Sequence, residues 1–104
     1  MNIYMTENQK RKLTDVIDLI PENIKEILQE IRIPNYNIEN GGVTKNFDLY
    51  LIFSNDNELP EFVIDFFGHY EANFENAMGV ELIVEFDGED TPMGETVWKR
   101  GNTL

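Results

Sequence analysis

Apolar residues recur along Leu59–Met78 with the period of a helix. Leu59, Phe62, Val63, Phe66, Phe67, Tyr70, Phe74, Ala77 and Met78 fall at i, i+3, i+4, i+7, i+8 and onward. That is one stripe of a 3.6-residue turn, not the alternation of a strand. Pro60 suits the first helical position, where its missing N–H is not needed, and it pushes Leu59 out of the helical region. Gly79 suits the residue just past the end, where a positive φ is favoured. The pattern predicts a central helix over about 59–78 whose apolar stripe anchors the core. Its opposite face carries Glu61, Asp65, Glu71 and Glu75 around small Gly68 and Ala72, with no Lys or Arg on the helix. Like charges four apart on a helix each cost a few tenths of a kcal/mol, so this face works against the helix it decorates.

The same template reads the N-terminal third as helical. Thr6 and Gln9 form a T-x-x-Q capping box. Leu13, Val16, Ile17 and Ile20 follow as an apolar stripe, and Ile24, Ile27, Leu28 and Ile31 continue it beyond Pro21. Two helices are expected, about 6–20 and 21–32, kinked at Pro21 and ended by Pro34. Tyr36–Glu39 and Val43–Phe53 read as a β-hairpin, about 36–53, around Asn40-Gly41-Gly42. Val80, Leu82, Val84 and Phe86 alternate with Glu81, Ile83, Glu85 and Asp87, the signature of a half-buried strand over about 80–87. A short edge strand is expected over about 96–100.

The predicted order is α-α-β-β-α-β-β in a single domain, 1–104. Short connections favour an antiparallel sheet with helices mainly on one face, an α+β fold. The strand–helix–strand segment around the central helix allows a parallel crossover instead, and hence a mixed sheet. If all helices share one face, Tyr50, Ile52 and Ile83 point away from the core, rimmed by Asp48, Glu81 and Glu85. An apolar centre with a charged rim suits a protein-binding surface. The alternative is that the first two helices cover that face.

Charge changes the picture more than composition does. The chain has 104 residues, a net charge of −12 and no cysteine. Lysine and arginine are confined to the first 45 residues and to Lys99 and Arg100; between Phe47 and Trp98 there are thirteen acids and no Lys or Arg. Such a field repels nucleic acid and anionic membranes and attracts basic proteins. Absence of cysteine, of a charged-then-apolar leader and of a long apolar run points to a cytoplasmic location without a membrane span.

Candidate chemistry is sparse. His69 is the single histidine, one turn after Asp65, with no nucleophile placed beside it. Asp87, Glu89 and Asp90, or Asp56 and Glu58, lack the spacing of a calcium loop, and no glycine loop with a lysine cradles phosphate. Trp98-Lys99-Arg100 reads as edge-strand packing, and Lys10-Arg11-Lys12 is too short for a nucleic-acid patch. No catalytic set, metal site or cofactor is expected, and the chain does not read as an enzyme.

Small size, acidity and absence of cysteine resemble a functional class, the small inhibitors encoded by phages and mobile elements. These are of the anti-CRISPR, anti-restriction or DNA-repair-inhibitor type and imitate nucleic acid by charge. The resemblance implies binding, as a monomer or homodimer, to a basic nucleic-acid-binding protein of the host, without direct contact to nucleic acid. The surface expected to do so comprises Glu61, Asp65, Glu71, Glu75, Glu81, Glu85, Asp87, Glu89 and Asp90. Carboxylates four apart on a helix are separated by about 6 Å of rise, comparable to phosphate spacing. Two alternatives stand beside this: an immunity or antitoxin-like protein that neutralises a basic toxin, and a general interaction module using Tyr50, Ile52 and Ile83.

Overall fold

A computed structural model of the chain describes residues 4–38, 41–54, 59–88 and 93–101. Helix α1 (Glu7–Leu19) opens on the predicted capping box. The Thr6 hydroxyl accepts the Gln9 N–H at 3.1 Å, and the Gln9 side chain accepts the Thr6 N–H at 2.8 Å. The Gln9 amide also donates to the carbonyls of Val43 and Thr44, tying the start of α1 to the chain that enters the second strand. After Pro21 comes only a single turn, α2 (Glu22–Lys25).

The predicted second helix over 21–32 therefore needs correction. Leu28–Pro34 is strand β1, paired antiparallel with β2 (Phe47–Phe53). The register slips by one residue between Leu28 and Glu30. This bulge lets Leu28 and Ile31 both face the core, three residues apart, and so imitates helical spacing. Beyond it Ile31 and Ile33 alternate with Arg32 as a strand should.

The hairpin also differs from expectation, because β2 pairs with β1 and not with Tyr36 and Asn37. Asn35–Asn37 form a 3₁₀ turn after Pro34, and Glu39 and Asn40 lie outside the described residues. Asn37, buried at 8 % exposure, accepts the Asp48 N–H on its side-chain oxygen at 2.7 Å, while its carbonyl accepts the Thr44 N–H. A buried amide so used supplies locally the partner that a strand would have supplied.

The sheet order is β3-β2-β1-β4, with β3 over Val80–Phe86 and β4 over Gly94–Lys99. β4 is antiparallel to β1 and carries its own register shift opposite Ile31 and Arg32. β3 runs parallel to β2 in unbroken register from Phe47 opposite Val80 to Phe53 opposite Phe86. The sheet is thus mixed, and the fold is α+β in the order α-α-β-β-α-β-β. Helix α3 (Glu61–Asn73) makes the parallel crossover and runs on into a π turn, Phe74–Met78, ended by Gly79 at φ +71°.

One core joins all three helices to one face of the sheet. Leu13, Val16, Ile24, Val63, Phe66 and Phe74 pack on Ile31, Ile33, Phe47, Leu49, Leu51, Val80 and Leu82. Each such side chain contributes about 1.5–3 kcal/mol on burial, which outweighs the repulsion along the acidic side of α3. Among the described residues no helix is long and apolar enough to cross a membrane.

Candidate interaction surface

With the helices on one face, the alternate residues of each strand make up the other. Across it from β3 to β4 stand Glu81, Ile83 and Glu85, then Asp48, Tyr50 and Ile52, then Glu30 and Arg32, then Thr96 and Lys99. Tyr50 and Ile83 are half-buried. Ile52 is only 1 % exposed although it lies outside the main core cluster, so it cannot serve as the accessible apolar contact expected of it.

The half of this face over β1 and β4 is charge-compensated. Arg32 grips the Glu30 carboxylate with Nε at 2.7 Å and Nη2 at 2.9 Å, and the Thr96 hydroxyl donates to the same carboxylate. The guanidinium holds the Glu30 carboxyl below its ordinary value, and Glu30 in turn raises Arg32, with Asp87 adding to the field. Asp87 is therefore partly offset by Arg32 and is not a free anion of the acidic surface.

Among the described residues no ion pair compensates the half over β2 and β3. Parallel pairing sets Asp48 opposite Glu81. Glu75, on the π turn, shares with Asp48 and Glu81 a recess of about 170 Å³. The Asp48 carboxylate, with Glu75 and Glu71 behind it, pushes the Glu81 carboxyl above its ordinary value. Tyr36 donates its hydroxyl to Asp48, and partial burial together with that carboxylate raises the phenol too.

The nine predicted acids do not form one ladder. Glu71 and Glu75 lean toward β3, whereas Glu61 and Asp65 line neither the recess nor the groove beside β3. Ten residues separate Glu61 from Glu71, or 2.8 turns, which turns the second pair by roughly 80° from the first. Glu85 lies on the sheet face opposite Ile52. Glu89 and Asp90 lie outside the described residues, as do Asp56 and Glu58. Among the described residues no three His, Cys, Asp or Glu side chains come together to hold a metal. Trp98 packs against the core and Arg100 donates to the Glu26 carbonyl, so both are engaged in holding β4.

The like-charge contact has a pH signature. A carboxyl raised in the folded state holds its proton where the unfolded chain has already lost it, so its effect is loss of stability as pH rises above 4.5. Denaturation of wild type and Glu81→Gln across that range should show the variant gaining relative to wild type as pH climbs to neutrality. A pH-independent difference would mean that Glu81 is not crowded in solution.

Comparison of the chain with protein-family models, with curated proteins and with solved structures finds no match.

Proposed function

We propose that the protein is a binding protein, not an enzyme, that occupies the nucleic-acid-binding surface of a basic host protein and blocks it. The observation that carries this is the convergence of Asp48, Glu71, Glu75 and Glu81 from three elements onto one uncompensated corner. A solvated face mixes signs to relieve itself, as Glu30 and Arg32 do two strands away. A protein that keeps four carboxylates crowded sacrifices stability for a field. The crowded carboxylates then stand in for a nucleic-acid backbone by their charge, and the partner's basic groove supplies affinity and rapid encounter. Phage or mobile-element counter-defence is the setting such a protein suits. The test is capture of host proteins on the immobilised protein at low salt. The retained proteins should be basic, bind nucleic acid and be released by duplex DNA or RNA as well as by moderate salt. Retention that neither nucleic acid nor salt disturbs would sink the proposal.

A further inference from the structure

Among the described residues β3 is an edge strand, paired on its β2 side alone. Two hydrogen bonds set the phase of that ladder: Phe47 N–H donates to the Gly79 carbonyl at 3.0 Å, and Asp87 N–H to the Phe53 carbonyl at 2.8 Å. Backbone groups change sides at each residue of a strand. Odd-numbered residues of β3 therefore bond to β2, and the N–H and C=O of Val80, Leu82 and Val84 turn to the open edge.

Natural sheets blunt such edges with lysine, proline or a bulge. β4, the opposite edge, has a register shift and Lys99. β3 has no lysine, proline or bulge; its only charges are Glu81 and Glu85. Two carboxylates repel a second copy of the same edge, whereas they attract a basic strand. Beside the edge, α3 and β3 flank an open, shallow groove of about 600 Å³ lined by Ile64, Phe67, Leu82 and Val84, with Glu71 and Glu81 also along it. Ile64 is 58 % exposed there, off the core stripe of its helix. Gly68 leaves space, since a Cβ built on it meets nothing within 4 Å.

We infer that the β3 edge takes up an extended peptide segment as a fifth strand, one whose residues alternate apolar and basic. Side chains on the helix side of such a strand enter the groove beside Leu82 and Val84. Those on the other side meet Glu81 and Glu85. Main-chain bonds supply attachment and the alternation supplies selectivity. This goes beyond occupation of a nucleic-acid site: it shares Glu81 with the acidic corner but holds whether or not nucleic acid competes.

Two synthetic seven-residue peptides of identical composition separate these cases, one alternating Lys and Val and one with all Lys before all Val. Charge alone binds both equally. The fifth-strand geometry favours the alternating peptide by about tenfold, from several cross-strand pairs acting together. On the alternating peptide, hydrogen exchange of the Leu82 and Val84 amides should slow, and Ile64→Ser, at an exposed site that folding does not need, should weaken binding several-fold. Equal affinity of the two peptides, no binding of either, or protection confined to residues away from β3 overturns the inference. So does protection of Leu82 and Val84 that rises with protein concentration alone, which would assign the edge to a second copy.

Discussion

Gly79→Val is expected to destabilise the protein by roughly 2–5 kcal/mol, a large part of the 5–15 kcal/mol typical of a domain. Gly79 holds φ +71°, where an L side chain meets its own carbonyl, and a β-branched one does so most severely. A Cβ there would also collide with the side-chain oxygen of Asn46. The exposed Asn46 amide can swing aside, but the backbone strain is not relieved cheaply, because the Gly79 carbonyl accepts the first hydrogen bond of the β2–β3 ladder and its N–H bonds to the Glu75 carbonyl. Denaturant unfolding should show a lower midpoint at unchanged slope. A loss within about 0.5 kcal/mol of wild type, the range of an ordinary surface change, would contradict the turn geometry. The same turn brings Glu75 against Glu81, so the acidic corner depends on this glycine as the core does.

Reversing charge at that corner, with Glu75→Lys and Glu81→Lys together, should abolish capture of basic partners while leaving the fold at least as stable as wild type. Both side chains are exposed, and both now lie in a field that repels them. Removing two like charges relieves that field, so lost binding could not be ascribed to unfolding. Association should slow by about tenfold or more at low ionic strength, with a weaker dependence on salt. The matched control is Glu61→Lys with Asp65→Lys, which changes net charge by the same amount on another side of α3. If both pairs reduce capture equally, net charge and not the corner is responsible, and the proposed binding surface is wrong.

Some of this was legible in the residues and some was not. α1 and α3 follow from uninterrupted apolar spacing, and the capping box at Thr6 and the stop at Gly79 follow from local chemistry. β1 was hidden because its bulge gave Leu28 and Ile31 a helix-like interval, although alternating Ile31, Arg32 and Ile33 carried the strand signal. Counting turns would have separated Glu61 and Asp65 from Glu71 and Glu75. The meeting of Asp48 with Glu81 depends on parallel pairing, which spacing along the chain allowed without selecting. Burial of Ile52 could not be foreseen from alternation, which assigns a face and says nothing of how neighbouring side chains close over it. Ile64 and Phe67 as walls of a groove were likewise missed; the available sign was an apolar residue, Ile64, standing off its helix's stripe.

The strand order has a consequence for how the molecule meets anything charged. Read from β3 to β4, the sheet's outer face passes from Glu81 and Glu85, through Asp48, to the Glu30–Arg32 ion pair, and ends at Lys99. The sheet is therefore an electric dipole lying across its own strands, not a uniformly negative body. In the field of a basic surface it experiences a torque as well as a pull, and it turns its β3 side forward before contact is made. Because that turning acts over about a Debye length, roughly 8–10 Å in physiological salt, the orientation is selected during approach and not during docking.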